Sequence, residues 1–379
     1  MKQIALQAIH DQLVKEFPHT PTEEQGKLLY WLAKFYCSDV RQPLLIINGH
    51  AGTGKTTLIG AFVRSLANLG LKSVLLAPTG RAAKVFSQKS GKNAMTIHKK
   101  IFQTERESGG GLRMQLAPNL HTNTIFLIDE VSMISDQYEG NAQGGSLLDL
   151  LIQYIYNGKN CRAIFIGDNA QLPPVGSSDS PALNEDYLKS HYPQLTVGSF
   201  HLKEVLRQSE DSAILQNANI LRSQTKVAFP KFQLQPQSDV VRIAGDELQD
   251  ALESAYSRGV DEVIILTRSN KRANLFNQQI RTRILWMEEE INGGDRLMVV
   301  KNNYHWLPPE SPAGFIANGE MLQLEKIIRI EEIYGLKFAD AEIAMVDYPE
   351  MDRFPVKLLL DTLTLESPNL GKTATEELY

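Results

Sequence analysis

The stretch GHAGTGKTT, residues 49–57, decides the fold because it joins a short apolar run to a helical pattern. LLIIN precedes it at 44–48, and TTLIGAFVRSLANLG continues from its last two residues. A strand, a glycine-rich turn and a helix in this order are typical of a phosphate-binding loop. Gly49, Gly52 and Gly54 let backbone N–H groups wrap closely round phosphates, and the helix N-terminus adds partial positive charge. A glycine-rich turn without a ligand is the alternative.

Two side chains of this loop have predicted chemical roles. Lys55 is expected to reach the β- and γ-phosphates of ATP, and the hydroxyl of Thr56 is expected to ligate Mg²⁺. The predicted cofactors are therefore ATP and Mg²⁺. The loop residues expected to bind the nucleotide are Gly49, Gly52, Thr53, Gly54, Lys55, Thr56 and Thr57.

Three further apolar runs alternate with helical patterns in the first 200 residues: SVLLA at 73–77, TIFLI at 124–128 and AIFI at 163–166. Each is short and nearly continuous, which is typical of buried parallel strands. In open α/β sheets, ligands bind outside the carboxyl ends of the strands. The segments that follow the four runs, NGHAGTGKT, PTGR, DEVS and GDNAQ, are therefore predicted to converge on one site. The pattern predicts an α/β fold with a parallel sheet and helices on both faces.

The stretch IFLIDEVSM places Asp129 and Glu130 at the end of a buried strand. Paired carboxylates are costly to bury unless a cation or a reaction requires them. Asp129 is predicted to hold the Mg²⁺ shell, and Glu130 to act as the general base that polarises the attacking water. A strand that ends in solvated acidic residues is the alternative.

A second polar loop, IGDNAQLPPVG at 166–176, also follows a strand and contains Gln171. A glutamine amide both accepts and donates hydrogen bonds, which suits a group beside the γ-phosphate or the attacking water. The prolines that follow restrict the backbone of such a sensor. A proline-rich surface turn is the alternative interpretation.

Composition places the chain among ordinary globular proteins. It has 379 residues, room for two or three domains, and a formal net charge of −5. No apolar run is long enough for a membrane helix, so no membrane partner is expected. The two cysteines, Cys37 and Cys161, lie far apart without a partner motif, and the histidines show no metal-ligand spacing. These features indicate a reducing, cytoplasmic location.

The basic residues are distributed unevenly. Residues 40–104 contain no Asp or Glu, and neither do residues 263–287. A polyanion-binding face in both halves of the protein is one explanation, and chance patchiness on a solvated surface is the other. The basic residues are Arg41, Lys55, Arg64, Lys72, Arg81, Lys84, Lys89, Lys92, Lys99 and Lys100 in the first stretch, and Arg268, Lys271, Arg272, Arg281 and Arg283 in the second.

Six motifs occur in a fixed order: GHAGTGKT, LAPTGRAA, TIHK, LIDEVSMI, GDNAQLPPVG and LRQ. Together, over about residues 20–330, they resemble the motor core of superfamily 1 DNA helicases of the 5′-to-3′ branch. This RecD/TraA-like group includes Dda-type and PIF-type helicases. The resemblance implies a RecA-like core and an ATP-dependent DNA helicase that moves 5′ to 3′ on single-stranded DNA. It also implies fork DNA as a substrate, a monomeric state, and a part in DNA repair or recombination.

The resemblance also implies roles for individual residues. Gln25, in TPTEEQ, would contact the adenine base, and Arg207, in VLRQS, would lie on the γ-phosphate. Such an arginine stabilises the charge of the transition state. An ordinary helix start is the alternative for the segment 96–99 and also for Asn270. The implied DNA contacts are Thr79, Gly80, Arg81, Thr96, His98, Asn270 and Asn274.

The implied domains divide the chain into four parts. Residues 1–200 would form the first RecA-like motor domain, with a hairpin insert at 102–123 that splits the duplex. Residues 201–290 would form part of a second RecA-like domain that contains the strand-like run VIILT, and 291–370 an SH3-like β insertion. Residues 371–379 would begin the return to the second motor domain.

The sequence departs from the family pattern after Val346. Neither a T-x-H-K-S-Q-G-like motif nor a Y-x-A-x-(S/T)-R-like motif occurs there. We therefore expect the chain to be C-terminally truncated, with a natural remnant as the alternative. We also expect it to bind nucleotide and to hydrolyse it slowly. A non-motor protein whose DNA binding is switched by ATP, and an unrelated phosphate-loop kinase, are the alternatives. RNA as the substrate also stays open.

Overall fold

The computed structural model describes residues 2–50, 52–106, 112–138, 145–204, 212–224, 227–234, 239–301, 303, 306–308, 311–313, 315–316, 318–363 and 365. The chain divides into two compact units, Met1–Phe232 and Gln233–Tyr379. The domain scheme expected from the resemblance stays a prediction. Among the described residues, no helix combines the length and the apolarity needed to cross a bilayer.

The first unit alternates strands and helices, as the sequence predicts. Its helices are α1 (Lys2–Glu16), α2 (Glu23–Cys37), α3 (Lys55–Asn68), α4 (Gly80–Ser90), α5 (Ile97–Ile101), α6 (Leu147–Asn157), α7 (Glu185–His191) and α8 (Ala213–Ser223). Its strands are β1 (Pro43–Gly49), β2 (Lys72–Ala77), β3 (Ala94–Thr96), β4 (Phe102–Arg106), β5 (Leu112–Leu116), β6 (Thr124–Ile128), β7 (Arg162–Gly167) and β8 (Thr196–Leu202). Short 3₁₀ helices lie at Val131–Met133 and Pro181–Leu183.

Six of these strands form one parallel sheet in the order β3-β2-β6-β7-β1-β8. Successive side chains of a strand point to opposite faces of its sheet. In β1, Leu45 and Ile47 join one buried cluster with residues of α1 to α4. Leu44 and Ile46 join the other cluster with residues of α5 to α7. Helices therefore cover both faces of a parallel sheet, and the predicted α/β class is confirmed.

The predicted insert at 102–123 contains an antiparallel hairpin. Strand β4 pairs with β5, from Phe102 opposite Leu116 to Arg106 opposite Leu112. The Ala117 N–H then donates to the carbonyl of Ile101, which closes the base of the hairpin. The described residues thus give the insert the expected form, and its action on a DNA duplex stays a prediction.

The second unit contains a four-stranded antiparallel sheet in the order β12-β11-β10-β9. Its strands are β9 (Arg296–Met298), β10 (Met321–Ile333), β11 (Leu336–Met345) and β12 (Phe354–Leu359). Its helices are α9 (Leu248–Tyr256) and α10 (Asn270–Arg283), with 3₁₀ helices at Val260–Glu262 and Leu360–Leu363. The strand-like stretches predicted after residue 291 thus form a sheet. Their likeness to an SH3 domain stays a prediction.

One predicted strand of the second unit is wrong. The run VIILT at 263–267 forms no strand, and the side chains of Ile264 and Leu266 are 83% and 86% exposed. An apolar run becomes a strand only where a neighbouring strand accepts its hydrogen bonds, and the described residues pair none with it. The helix predicted after it is present as α10, and Ser269 caps its N-terminus.

Candidate functional site

A cavity of about 450 Å³ opens at the carboxyl ends of β1, β6 and β7. Its volume lies within the range of small-molecule sites. Three of the four strand ends that the sequence predicts to converge contribute side chains to its wall. The lining residues are Pro18, His50, Gly52, Gly54, Lys55, Thr56, Thr57, Arg64, Lys89, Asp129, Glu130 and Gln171.

The phosphate loop owes its shape to its glycines. Gly52 and Gly54 have φ values of 86° and 80°, in the left-handed region that favours glycine. Gly54 is the N-cap of α3, so the first turn of the helix faces the cavity. A Cβ on Gly49 would lie 2.9 Å from the Cβ of Leu202. The backbone at this position therefore leaves no room for a side chain.

Lys55 folds back onto the loop that carries it. Its ammonium donates to the carbonyl of Gly49 and, at 3.0 Å, to the carbonyl of His50. Burial lowers the pKa of Lys55, and the nearby carboxylates of Asp168 and Asp129 oppose that shift. The ammonium is thus partly desolvated, on a wall where phosphate oxygens would be stronger acceptors than carbonyls.

Gln25 lies behind the loop and is only 2% exposed. Its Nε2 donates to the carbonyl of Thr53 at 3.1 Å, and its Oε1 accepts from the N–H of Thr22 at 3.1 Å. Thr22 and Gln25 also form the capping box of α2. The structure thus shows Gln25 anchoring the phosphate loop to a helix N-terminus. Its contact with an adenine base stays a prediction.

Gly49 and Thr53, both predicted to bind the nucleotide, support the cavity without contributing to its wall. Thr53 is 1% exposed, and its hydroxyl donates to the carbonyl of His50 at 2.8 Å. Gly52, Gly54, Lys55, Thr56 and Thr57 do line the cavity, as predicted.

Asp129 and Glu130 stand together where β6 ends. The Asp129 N–H donates to the carbonyl of Leu76 on the neighbouring strand at 2.9 Å, which continues the sheet by one residue. Glu130 has φ 53° and ψ 38°, a left-handed conformation that is uncommon outside glycine and clusters at functional sites. Burial, with repulsion from Glu130, raises the pKa of Asp129 to about 6. Burial likewise raises the pKa of Glu130, which Lys55 opposes.

Gln171 lines the same cavity from the loop after β7. Its backbone N–H donates to the carbonyl of Asp168 at 3.1 Å. The carboxylate of Asp168 is buried, and its Oδ1 accepts from the N–H of Ala170 at 2.9 Å. The predicted meeting of the phosphate loop, the acidic pair and Gln171 is therefore present in the first unit.

The first three predicted DNA contacts, Thr79, Gly80 and Arg81, differ in how far they are exposed to solvent. Arg81 is exposed at the start of α4, whereas Gly80 is buried. Thr79 caps α4, and its hydroxyl accepts from the N–H of Ala82 at 3.2 Å. Only Arg81 of these three presents an exposed side chain to a nucleic acid.

Thr96 and His98 lie at the start of α5. Thr96 is 1% exposed and caps the helix through the N–H of Lys99 at 3.2 Å. The ring of half-buried His98 lies 5.7 Å from the ring of Phe102, centre to centre. This geometry matches the alternative of an ordinary helix start, and DNA contacts by Thr96 and His98 stay predictions.

The remaining predicted residues are Asn270 and Asn274 of the second unit and Arg207 of the first. Asn270 is exposed at the first position of α10. The amide of Asn274 donates to the carbonyl of Leu365 at 2.9 Å, so one donor of this side chain is already used. Arg207, predicted to act on the γ-phosphate, lies outside the described residues.

Sequence reasoning missed Pro18, His50, Arg64 and Lys89 as cavity residues. Arg64 and Lys89 belong to the acid-free basic stretch, which was their only signal. Arg64 is held by Glu16 of α1, with 3.5 Å between Nε and Oε2. Arg64 and Lys89 add positive charge to the wall of the cavity beside that of Lys55.

A family model described as an AAA domain matches residues 37–246, which include every lining residue except Pro18. The chain belongs to this AAA domain family. The predicted resemblance to RecD-like superfamily 1 DNA helicases is also confirmed by the relatives that follow.

The chain is 29% identical over 265 residues to the "ATP-dependent DNA helicase dda" of Enterobacteria phage T4, which covers 67% of this chain and 55% of that protein. It is 30% identical over 202 residues to the "ATP-dependent RecD2 DNA helicase" of Deinococcus radiodurans, or 52% of this chain and 23% of that protein. The chain thus spans about half of the first relative and a quarter of the second. A solved Pif1 helicase from Candida albicans aligns with 90% of this chain and 79% of its own at 17% identity, with a TM-score of 0.37.

Proposed function

We propose that this chain is the motor core of an ATP-dependent DNA helicase that moves 5′ to 3′ on single-stranded DNA. One observation carries the proposal: a single cavity is lined by Lys55, Thr56, Asp129, Glu130 and Gln171. A phosphate loop alone would serve many kinds of enzyme. A general-base carboxylate and a glutamine on the wall of the same cavity are what hydrolysis of a bound nucleoside triphosphate requires.

The cavity also suits Mg²⁺. Two carboxylates, of Asp129 and Glu130, crowd together where burial raises the pKa of both. A divalent cation would offset that cost. Mg²⁺ commonly binds one or two carboxylates together with phosphate oxygens and waters. In the part of the chain that the structure describes, no cluster of three or more His, Cys, Asp or Glu residues could by itself hold a metal ion.

Within this proposal, the Thr56 hydroxyl and the Asp129 carboxylate would hold the ion, which neutralises phosphate charge. Glu130 would take a proton from the attacking water, and Gln171 would orient that water or contact the γ-phosphate. Lys55 would exchange its two loop carbonyls for phosphate oxygens. Adenine recognition by Gln25 and charge stabilisation by Arg207 complete the proposal, and both come from the resemblance alone.

DNA is the proposed partner because both relatives described above are named as DNA helicases. Arg81, inside the motif LAPTGRAA, and Asn270, at the start of α10, are both exposed. Binding should be mostly electrostatic and tolerant of sequence, so added salt should weaken it steeply. We propose single-stranded and fork DNA as substrates, a monomer as the acting form, and a reducing compartment, in keeping with two free cysteines, Cys37 and Cys161.

Strand separation tests this function directly. Two substrates with the same duplex, one with only a 5′ single-stranded tail and one with only a 3′ tail, should be compared at saturating ATP. The proposal expects slow unwinding of the 5′-tailed duplex only, and none by Lys55→Ala. Nucleotide and DNA binding without unwinding of either substrate would favour the ATP-switched DNA-binding alternative. Preference for the 3′ tail would refute the proposed polarity.

A further inference from the structure

The ring of His50 joins two loops of the candidate site. Its Nδ1 lies 3.3 Å from Oδ1 of Asp168, which belongs to the loop of Gln171. The Asp168 side chain is 2% exposed and the His50 side chain 34% exposed. Because a carboxylate only accepts hydrogen bonds, Nδ1 of His50 is the donor.

The backbone of the same residue organises the phosphate loop. The His50 carbonyl accepts from the Thr53 hydroxyl at 2.8 Å, from the Thr53 N–H at 3.3 Å and from the Lys55 ammonium at 3.0 Å. A phosphate arriving at Lys55 would compete with this carbonyl. His50 would therefore respond to the occupancy of the cavity.

Asp168 holds the loop of Gln171 through two groups, its side-chain carboxylate and its backbone carbonyl. Its Oδ1, the atom that faces His50, also accepts from the N–H of Ala170 at 2.9 Å. Its carbonyl accepts from the N–H of Gln171 at 3.1 Å. A change at this carboxylate therefore reaches the backbone that directs Gln171 towards the cavity.

The phosphate-loop pattern does not account for a histidine here. The G-x-x-x-x-G-K motif requires glycines, a lysine and a hydroxyl residue, and it leaves the second position open. The imidazole of His50 lines the cavity and contacts a buried carboxylate. The His50 side chain thus has a partner, Asp168, that the formation of the phosphate loop does not require.

We propose that His50 is a positioning residue that couples the phosphate loop to the loop of Gln171 through Asp168. Nucleotide at Lys55 shifts the His50 segment, the ring carries the shift to Asp168, and Gln171 is held in its working position. This inference rests on the proposed function, because it assigns His50 to the hydrolysis that the cavity supports.

A matched pair of substitutions tests which nitrogen matters. In His50→Asn the amide nitrogen replaces Nδ1, whereas in His50→Gln it replaces Nε2. Both variants keep the backbone carbonyl that Thr53 and Lys55 use. With saturating single-stranded DNA, we expect His50→Asn to keep kcat within about twofold, and His50→Gln to lose on the order of tenfold, the effect of a lost bond to a charged group. KM for ATP should stay within about twofold in both. Equal kcat losses in the two variants would overturn the proposal.

A double substitution, His50→Gln in a chain that also carries Gln171→Ala, tests whether His50 acts through Gln171. Gln171→Ala should itself lower kcat, and adding His50→Gln to it should lower kcat no further, because the path is already broken. Multiplicative losses would show that His50 acts independently of Gln171 and would contradict the coupling.

Hydrogen exchange separates this inference from the proposed function. In the wild type and in His50→Asn, a non-hydrolysable ATP analogue should slow exchange of the backbone amides at 168–176. In His50→Gln the loop should exchange equally with and without the analogue. This pattern in a chain that does not hydrolyse ATP would support the coupling and refute the proposed function. If the analogue slowed exchange equally in all variants while hydrolysis was normal, the coupling alone would be refuted. If the analogue slowed exchange in none of the variants, the coupling would be refuted as well.

Discussion

Helices α3 and α4 pack closely at Gly60, so Gly60→Ala should strain the wall of the nucleotide cavity. A Cβ at this position would lie 2.7 Å from the backbone carbonyl oxygen of Lys89 and 3.2 Å from the guanidinium of Arg64. The first contact is with backbone, which cannot move aside as a flexible side chain can. Both neighbours also line the cavity. Alanine should therefore force the two helices apart.

The magnitude follows from two opposing effects. Replacing glycine by alanine inside a helix stabilises the helix by about 1 kcal/mol. Overpacking against a fixed neighbour costs about 1–3 kcal/mol. Gly26→Ala is the matched control, because Gly26 also lies in a helix and a Cβ there meets nothing within 4 Å. The control should gain about 1 kcal/mol, so Gly60→Ala should lie about 1–3 kcal/mol below it in free energy of unfolding.

Thermal unfolding of the two variants beside the wild type measures this difference. In a domain of about 150–250 residues, 1 kcal/mol shifts Tm by roughly 2–4 °C. We expect Tm to rise for Gly26→Ala, and to lie several degrees below the control for Gly60→Ala. Equal increases in Tm for both variants would refute the close approach of α3 to Lys89.

Three further substitutions test other contacts of the site and the second unit. Glu130→Gln should lower kcat for ATP hydrolysis by about 10²–10⁴ through loss of the general base, while nucleotide affinity, measured by titration, stays near the wild type; retained hydrolysis would exclude that role. Gln25→Ala should cost about 1 kcal/mol of unfolding free energy through the lost capping box and should weaken nucleotide binding because Thr53 is released; unchanged affinity would contradict the anchoring role. Arg281→Ala removes an ion pair of 2.8 Å with buried Asp295 and should lower the free energy of unfolding, measured with denaturant, by about 3 kcal/mol. The control Arg283→Ala, at an exposed position of the same helix, should lower it by less than about 0.5 kcal/mol. Equal losses in the two variants would refute the pairing.

The sequence predicted the strands whose surroundings are apolar on both faces. β1, β2, β6 and β7 occupy the interior of the sheet, and each reads as a continuous apolar run. The two strands that were missed, β3 and β8, are the edges of the sheet. β8 is TVGSFHL, partly exposed along its length, and β3 has three residues. Edge strands lack the two-sided burial that makes a run continuous, so periodicity does not reveal them.

Residues 263–267 show the opposite failure. Their apolar run predicts a buried strand, yet a strand depends on partners distant in sequence. The described residues of the second unit pair no strand with this run. Composition carries no information about which partner will be present, so the error could not be avoided from the run alone.

The sequence predicted those parts of the candidate site whose residues belong to short motifs. Lys55, Asp129, Glu130 and Gln171 were each named from local sequence, and the structure places all four on one cavity. The contact of His50 with Asp168 joins residues 118 positions apart, so no local pattern announces it. The hold of Gln25 on Thr53 likewise depends on how α2 packs against the loop.

ATP hydrolysis with and without single-stranded DNA tests the central claim most directly. The wild-type chain and Lys55→Ala should be measured side by side, with nucleotide binding recorded for both. We predict that DNA raises the hydrolysis rate of the wild type and that Lys55→Ala abolishes both the basal and the stimulated rate. Nucleotide binding at the cavity with a hydrolysis rate that DNA leaves unchanged would contradict the claim that this cavity drives a DNA motor.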